Sequence, residues 1–499
     1  MPAAPAQPPT ACRPHLPGRS LHEIATLIVL AATAFWATGH GHSAYAAESA
    51  SRPNVILIVA DDLGWSDTGY AGSDLYETPH LDRLAQQGLR FSQAYSACTV
   101  CSPTRAALLT GKYPARLHLT DWIHGHARPF AKLKIPAWTE HLPEEETTLA
   151  AALRPLGYTS ASIGKWHLGD EPADMPERRG FDVNIAGTGQ GQPPSYFAPY
   201  HIPTLVEGPA GEYLTDRLTD EACRFVREHR AGPFFLYLPH FAVHTPLQAK
   251  SELVEHFRAK LKPGMKHTNA VYAAMQKSVD DSVGRLLTEL ESTPAARETL
   301  VIFTSDNGGL IGPTSNVPCR AGKGSAYEGG VRVPLIVWWA GHAKPGSICP
   351  EPVISQDLFA TILAAAGEEV VAKRPDVDGL SLLPLVTDPA ASLKREAIYW
   401  HYPHYHPGGA TPYGAIRAGN MKLVEFFEDL HVELYDLDAD PSETRDLAKE
   451  QPERTKELRD RLTTWRERVG AQMPTPNPNY DPLKDAPPKR AKPAKKPPV

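Results

Sequence analysis

The seven residues from Asn54 to Ala60 have the sequence NVILIVA, a continuous apolar run rich in β-branched side chains. A run of this length and composition is typical of a strand that is buried on both faces, as strands are in a parallel sheet. The run ends directly at two carboxylates, Asp61 and Asp62. The segment therefore predicts a central strand with polar side chains at its carboxyl end.

Three later segments have a similar composition: PFFLYL at Pro233–Leu238, TLVIFT at Thr299–Thr304 and VPLIVWW at Val333–Trp339. Between these runs lie helical patterns, such as Ala273–Leu290, whose apolar residues recur on one face. Strands that alternate with helices predict an α/β fold, in which a large, mainly parallel sheet is sandwiched by helices.

The pattern changes near Arg395. Short strand-like runs at Ala397–His401, Met421–Phe427 and Val432–Tyr435 are separated by Gly and Pro, and Glu450–Val469 has a helical pattern. These features predict a smaller C-terminal α+β subdomain that carries a short antiparallel sheet.

The first residues have the features of an export signal. Two arginines precede an apolar run from Leu27 to Ala37, and small residues follow at Ala44 and Ala46. The apolar run is short for a bilayer-spanning helix of about 20 residues, so cleaved export is favoured over a membrane anchor. We predict cleavage after Ala46, a periplasmic or secreted protein, and no membrane span after cleavage.

The composition bounds the class of protein. The chain has 499 residues, enough for one large domain and a smaller one. Its formal net charge of -6 gives no general attraction to nucleic acid, and we predict no nucleic-acid partner. Signal cleavage would remove Cys12 and leave five of the six cysteines, so at least one thiol is unpaired or chemically altered.

Oxygen ligands follow two of the predicted strands. Asp61 and Asp62 follow the first run, and Asp306 and Asn307 follow the run that begins at Thr299. Ligands of open α/β sheets bind beyond the carboxyl ends of strands, and such oxygens favour Ca²⁺ or Mg²⁺ over zinc. One pair alone would favour a turn or helix cap. Two pairs after two buried strands favour a metal.

The segment Cys101-Ser-Pro-Thr-Arg105 precedes an apolar, helix-like run. Position 101 would then lie near a helix N-terminus, which favours anions and lowers the pKa of a thiol. Arg105, four residues on, would lie on the same helical face and could hold a tetrahedral oxyanion. The alternatives for this cysteine are a buried core residue or a disulfide with Cys98.

Cys101-x-Pro103-x-Arg105 followed by Leu-Thr-Gly resembles the signature of the type I, formylglycine-dependent sulfatases, in the alkaline-phosphatase-like superfamily. The resemblance runs from about residue 52 to residue 450 and is closest to the arylsulfatase A and N-acetylgalactosamine-sulfatase-like branch. The other segments that carry it are NVILIVADD (54–62), GKWHLG (164–169), VHTP (243–246), SDNGG (305–309), GKG (322–324) and YEGG (327–330).

The resemblance implies that a maturation enzyme oxidises Cys101 to formylglycine, the nucleophile. It also implies one Ca²⁺, held by residue 101 together with Asp61, Asp62, Asp306 and Asn307. Together with the composition of the two ends, the resemblance predicts four parts of the chain. These are a signal peptide over residues 1–46, a catalytic sulfatase domain over 52–390, the α+β subdomain over 391–472, and a disordered Pro- and Lys-rich tail over 473–499.

The same resemblance assigns catalytic roles to five further residues. Arg105, Lys165 and Lys323 would add positive charge around the transferring sulfuryl group. His244, with Lys323, would protonate the leaving oxygen, and His167 would take the proton of the remaining hydroxyl.

Taken singly, these residues would indicate less. His167 could be a hydrogen-bonded core histidine, and most lysines lie on the surface. His240 and His244 have the spacing of a zinc pair, but Pro246 and the preceding strand exclude a regular helix there, and only His244 is assigned to catalysis.

Two segments are candidates for sugar binding. Thr188–Tyr200 is rich in Gly, Pro and aromatic residues, and Tyr402, His404, Tyr405 and His406 form an aromatic and histidine cluster. For both, a packed Pro-rich loop is an equal alternative. By the family resemblance we predict an exo-acting hydrolase of sulfate esters on galactose or N-acetylgalactosamine.

Two rival functions remain open from the sequence. Formylglycine-bearing phosphonate and phosphodiester hydrolases share the nucleophile and the metal. A binding protein for sulfated glycans with an unmodified Cys101 is the second rival, although it would not need the catalytic positions that are all filled here.

Overall fold

The run Asn54–Ala60 forms a strand whose seven residues are all buried. The computed structural model describes residues 52–367 and 374–485 of the chain. The neighbours of this strand are Phe234–Pro239 on one side and Thr299–Ser305 on the other, and both are parallel to it. The prediction of a buried parallel strand is confirmed.

The strands and helices alternate over most of the chain. The strands are β1 (Asn54–Ala60), β2 (Leu89–Phe91), β3 (Ala94–Tyr95), β4 (Leu133–Lys134), β5 (Thr159–Ile163), β6 (Val183–Ile185), β7 (Phe234–Pro239), β8 (Thr299–Ser305), β9 (Leu335–Trp339), β10 (Ser347–Cys349), β11 (Val353–Ile354), β12 (Ile398–Tyr402), β13 (Tyr413–Ala418), β14 (Met421–Phe426), β15 (Val432–Asp436) and β16 (Thr475–Pro476). The α-helices are α1 (Pro79–Gln87), α2 (Cys101–Thr110), α3 (Pro114–Leu117), α4 (Leu149–Leu153), α5 (Leu214–His229), α6 (Ser251–Lys260), α7 (Ala270–Glu291), α8 (Glu328–Val331), α9 (Gln356–Ala366), α10 (Leu383–Thr387) and α11 (Pro452–Val469). Short 3₁₀ turns lie at Gly69–Ala71, Arg154–Leu156, Pro172–Asp174, Pro176–Arg179 and Pro294–Glu298.

Eight strands form the main sheet, in the order β10-β2-β9-β8-β1-β7-β5-β6. Neighbouring strands are parallel except where β9 pairs antiparallel with β8 and β2. The predicted mainly parallel sheet is confirmed, with one reversed strand inside it.

Helices cover both faces of this sheet. Ile56 and Ile58 pack in one apolar core with residues of α5 and α7, whereas Val55, Leu57 and Val59 pack in another core with residues of α2 and α9. Successive side chains of a strand point to opposite faces, so β1 contributes to both cores. This arrangement explains why its sequence is continuously apolar rather than alternating.

A second sheet of four antiparallel strands, β12-β13-β14-β15, follows in the C-terminal part. Helix α11 packs on it through Leu458, Leu462 and Trp465. The predicted α+β subdomain with an antiparallel sheet is confirmed as a fold class. Strand β13 is not among the predicted strands.

The last described residues are paired rather than disordered. Strand β16 is antiparallel to β4, and Asp485 lies 2.6 Å from the guanidinium of Arg128. The prediction of a disordered tail from residue 473 is therefore wrong for residues 473–485. Residues 486–499 lie outside the described part.

The predicted signal peptide, residues 1–46, lies outside the described residues. Among those residues, no helix is long and apolar enough to cross a membrane. The boundary between residues 390 and 391 stays a prediction.

Candidate active site

The carboxyl ends of β1 and β8 bring the two predicted oxygen-ligand pairs together. Ala60 and Ser305 are register partners in the two parallel strands, so the residues that follow leave the sheet at the same edge. The backbone N–H of Asp62 donates to Asp306 Oδ1 at 3.2 Å, and Asn307 Nδ2 donates to Asp62 Oδ1 at 2.8 Å. These side chains are buried.

Cys101 is the first residue of α2, as the sequence predicts. Its Sγ lies 3.7 Å from Asp61 Oδ1 and 3.3 Å from Lys323 Nζ. Cys98 and Cys101 are both free thiols, so the disulfide alternative is not present.

The thiol of Cys101 does not have the lowered pKa that the sequence predicts. Burial raises its pKa to about 12, although Lys165 and Lys323 act in the opposite direction. The prediction is wrong because desolvation disfavours a thiolate more than the nearby positive charges favour it. An unmodified cysteine here is a poor nucleophile at neutral pH.

Three cations face the three carboxylates. Lys165 Nζ lies 2.6 Å from Asp61 Oδ2, and Lys323 Nζ lies 2.6 Å from Asp62 Oδ1. Arg105 contacts Asp306 Oδ2 through Nε at 3.0 Å and Nη2 at 2.7 Å. Each buried charge is thereby paired, as burial requires.

These charges set the protonation of the carboxylates. Burial would raise the pKa of Asp61, but Lys165, His244 and Arg105 outweigh it and hold that pKa below its usual range. Burial and the neighbouring Asp61 raise the pKa of Asp306 to about 6 in spite of Arg105. Closely spaced carboxylates repel one another, and a cation bound between them would relieve this repulsion.

The oxygen atoms at this edge fit a hard cation. Within the described part of the chain, Asp62 Oδ2 and Asn307 Oδ1 are buried and have no hydrogen-bond partner. Ligand atoms of Asp61, Asp62, Cys101 and His244 lie within 4.8 Å of one another. Unpaired carboxylate and amide oxygens are the ligands that Ca²⁺ and Mg²⁺ prefer. The geometry includes His244 in this group, whereas the sequence assigns it to catalysis alone.

The two predicted catalytic histidines reach the same site. His244 Nδ1 lies 2.9 Å from its acceptor, Thr245 O, and Nε2 lies 3.7 Å from Asp62 Oδ2. His167 is buried with φ of 58°, and its Nδ1 lacks a partner among the described residues. Burial lowers the pKa of both histidines, and the charges of Lys323 on His244 and of Lys165 on His167 lower it further.

A cavity of about 550 Å³ opens above these residues. It is lined by Cys101, His167, His244 and Lys323. Its other walls, which the sequence analysis named only in part, include Trp122, Ile123, Gly191, Gln192, Leu310, Ile311 and His406. A partly apolar cavity with a few convergent polar groups is typical of a small-molecule site.

Only some residues of the two segments predicted to bind sugar line the cavity. Gly191 and Gln192 of the 188–200 loop line the cavity, and so does His406. Tyr402 donates instead to the buried Asp121 at 2.9 Å, and Tyr405 donates to Glu428 at 2.6 Å. His404 is fully buried beside Thr120. For these last three the packed alternative is the one observed.

His240 lies away from the cavity. It is buried, with Nε2 3.1 Å from Ser282 Oγ. The spacing of His240 and His244 therefore does not form a metal pair, in agreement with the sequence analysis.

Comparison with known proteins identifies the family. The family model described as Sulfatase matches residues 53–368, and the model for the C-terminal part of N-sulphoglucosamine sulphohydrolase matches residues 322–468. The chain belongs to the sulfatase family. It is a type I sulfatase with the alkaline-phosphatase-like fold, an enzyme that hydrolyses sulfate esters.

Named relatives of this sulfatase cover most of its length. Its alignment with N-acetylgalactosamine-6-sulfatase of Mus musculus is 36% identical over 371 aligned positions and covers 68% of this chain and 67% of that protein. Its alignment with steryl-sulfatase of Mus musculus is 32% identical over 524 aligned positions and covers 82% of this chain and 81% of that protein. The solved structure of Ps i-CgsB in complex with k-i-k-neocarrahexaose superposes with a TM-score of 0.73 at 31% identity, covering 86% of this chain and 95% of that one.

Proposed function

We propose that this sulfatase removes sulfate from galactose- or N-acetylgalactosamine-type carbohydrates in an exo fashion, with a formylglycine made from Cys101 and one bound Ca²⁺. The observation that carries the proposal is the position of residue 101. It lies at a helix start beneath the cavity, between Asp61 and Lys323.

The metal would be held by Asp61, Asp62, Asp306, Asn307 and residue 101. The unpaired oxygens of Asp62 and Asn307 support this set. Bound there, Ca²⁺ would supply Lewis-acid polarisation of the sulfate and of the nucleophile.

Formylglycine explains why a buried cysteine with a raised pKa lies at the reacting position. Its hydrated aldehyde would supply one hydroxyl as the nucleophile toward sulfur and a second hydroxyl, whose deprotonation would expel sulfate and regenerate the aldehyde. The change needs a maturation enzyme as a partner.

The remaining steps belong to the side chains around residue 101. The ammonium group of Lys323 is 3.3 Å from Sγ of residue 101, where it stabilises negative charge on the sulfuryl oxygens together with Lys165 and Arg105. His244 would donate a proton from Nε2 to the leaving oxygen in its doubly protonated form, because the neutral ring keeps its single hydrogen on Nδ1, which donates to Thr245 O. The buried His167 takes the proton of the remaining hydroxyl.

The sugar assignment is supported by the cavity and by the relatives. The cavity combines Trp122, an aromatic face on which a sugar ring can stack, with the polar groups of Gln192 and His406. One relative is named N-acetylgalactosamine-6-sulfatase, and one solved neighbour holds k-i-k-neocarrahexaose.

The first test combines mass spectrometry with a substrate panel. In protein from its own host, the peptide Phe91–Arg105 should be lighter by about 18 Da, the change from thiol to aldehyde at a nucleophilic position. The enzyme should hydrolyse 4- or 6-sulfated galactose or N-acetylgalactosamine. An unmodified Cys101 in active enzyme would contradict the assignment of formylglycine as the nucleophile. Faster turnover of phosphodiesters or of steroid sulfates than of sugar sulfates would contradict the proposed substrate class.

The Ca²⁺ site is tested with Asp62→Asn. An amide at this position replaces the unpaired Oδ2 by an N–H donor, which repels a cation. Ca²⁺ at about 100 times its Kd should stabilise the metal-free wild type by about 2.7 kcal/mol, measured as a rise in Tm. The variant should need at least about tenfold more Ca²⁺ for the same rise. Equal Ca²⁺ responses of wild type and variant would rule out Asp62 as a ligand.

A further inference from the structure

His406 brings the C-terminal subdomain into the active-site cavity. It lies in the connection between β12 and β13, and its side chain lines the cavity that also contains Cys101 and Lys323. None of the roles assigned to the other site residues uses it.

The imidazole of His406 is held in one orientation. The backbone N–H of Gly408 donates to Nδ1 at 3.0 Å. Gly324, which follows the catalytic Lys323 and has φ of 89°, packs so closely on the ring that a Cβ there would overlap it. Trp122 contacts the ring edge-on, with centroids 5.5 Å apart and an interplanar angle of 81°.

This orientation also fixes the proton. Because Nδ1 accepts a hydrogen bond, the neutral ring carries its hydrogen on Nε2. Within residues 52–367 and 374–485, no hydrogen bond to Nε2 is made, although the side chain is largely buried. Burial lowers the pKa of His406 to about 4, and Lys323 adds to this effect. The cavity wall therefore presents an uncharged N–H donor.

A neutral donor suits a neutral acceptor. The cations Lys165, Lys323 and Arg105 already serve the anionic sulfate, and a neutral imidazole adds little to the binding of a second negative charge. A sugar hydroxyl is an uncharged acceptor, and Trp122 beside it offers a face for the ring that bears this hydroxyl.

We propose that His406 is a specificity-determining residue that donates its Nε2–H to a hydroxyl oxygen of the sugar ring that carries the sulfate. This inference rests on the proposed function and names the side chain that reads the sugar. A site built to hydrogen-bond a hydroxyl discriminates against analogues that lack it, because its buried donor is then left unpaired.

The experiment compares His406→Ala and His406→Gln with the wild type on two kinds of substrate. One is the most reactive sugar sulfate of the panel, and the other is 4-nitrophenyl sulfate, which has no sugar hydroxyl. For His406→Ala, kcat/KM on the sugar sulfate should fall about tenfold, the effect of one lost hydrogen bond of about 1.4 kcal/mol. On 4-nitrophenyl sulfate kcat/KM should fall less, so the ratio of kcat/KM for the sugar sulfate to that for 4-nitrophenyl sulfate reports the lost sugar contact. His406→Gln places an amide N–H near the position of Nε2 and should recover part of the loss.

Monodeoxy analogues of the sugar sulfate complete the test. The kcat/KM of the wild type should be about tenfold lower on the analogue that lacks the contacted hydroxyl than on the parent sugar. The kcat/KM of His406→Ala should be the same on both. Equal losses by His406→Ala on sugar and aryl substrates would overturn the inference and leave the proposed function intact. A wild type that hydrolyses aryl sulfate but no sugar sulfate would overturn both.

Discussion

At the scale of single residues, the site depends on close approaches that only small residues permit. His167 is buried, and Gly191 of the 188–200 loop lies against its ring. A Cβ at position 191 would lie 2.7 Å from His167 Cε1, which is closer than carbon atoms pack. The absence of a side chain at Gly191 therefore permits the observed position of the His167 ring.

Gly191→Ala should displace the His167 ring and lower kcat. A misplacement of about 1 Å at a catalytic group costs about 10- to 100-fold in rate, and the readout is the kcat for 4-nitrophenyl sulfate. Tm should change little, because the substitution lies in a loop at the cavity wall. Gly232→Ala is the matched control, since a Cβ there meets nothing within 4 Å. Unchanged kcat in Gly191→Ala would show that the ring adapts.

The residues named from motifs meet in one place, but the surrounding walls do not follow from the sequence. Asp61, Asp306 and Cys101 stand at strand or helix ends, where local pattern and chemistry point to them. Trp122 and Leu310 lie in irregular segments and reach the cavity only through tertiary packing. The prediction of a lowered pKa for the Cys101 thiol was wrong for the same reason: the burial that raises this pKa is a property of the folded chain. The catalytic roles themselves stay predictions.

At the scale of elements, buried strands were predictable and interrupted ones were not. β1 and β8 are buried throughout and have long apolar runs, Val55–Ala60 and Leu300–Phe303, because both faces are covered. β13 (YGAIRA) contains Gly414 and the buried Arg417, which break the apolar pattern. The guanidinium of Arg417 is paired with the hydroxyl of Tyr95 in the main domain, so this strand depends on a long-range contact.

One helix start is capped from another helix. Asp280 in α7 accepts hydrogen bonds from the backbone N–H groups of His80 at 3.0 Å and Leu81 at 2.9 Å, at the start of α1. The N-cap residue of α1, Thr78, makes no such side-chain bond. Burial raises the pKa of Asp280 from 3.8 to about 7.

This pKa makes the cap pH-dependent. Between the two values the folded protein binds more protons than the unfolded chain, so the free energy of unfolding falls as the pH rises through this window. Asp280→Asn keeps an acceptor but cannot ionise. Its Tm relative to wild type should therefore rise between about pH 5 and about pH 8. Asp280→Ala loses the cap and should be less stable throughout, by about 0.5–2 kcal/mol near pH 5. A constant difference for Asp280→Asn would contradict the raised pKa.

At the scale of the whole molecule, the C-terminal sheet and the catalytic part share a buried charge cluster. Lys422 of β14 lies 2.9 Å from Glu328 of α8 and 2.9 Å from Glu443. The backbone N–H of Glu328 also donates to Glu443 at 2.7 Å. Because α8 follows the loop of Lys323, this cluster connects the second sheet to the active site.

Lys422→Met should therefore affect stability and catalysis together. It leaves the buried Glu443 without its cation and Glu328 with only the more distant Arg332, at 3.7 Å. Breaking a buried ion pair in this way costs about 3–5 kcal/mol, and equilibrium denaturation monitored by fluorescence measures the loss. Since the cluster supports the segment that carries Lys323, kcat should fall as well. Lys456→Met removes an exposed i,i+4 pair and should change stability by less than about 0.5 kcal/mol. The contrary result is a separate unfolding transition of the C-terminal sheet in Lys422→Met while hydrolysis of 4-nitrophenyl sulfate persists. The two parts would then be energetically independent, and the buried cluster would stabilise the sheet alone.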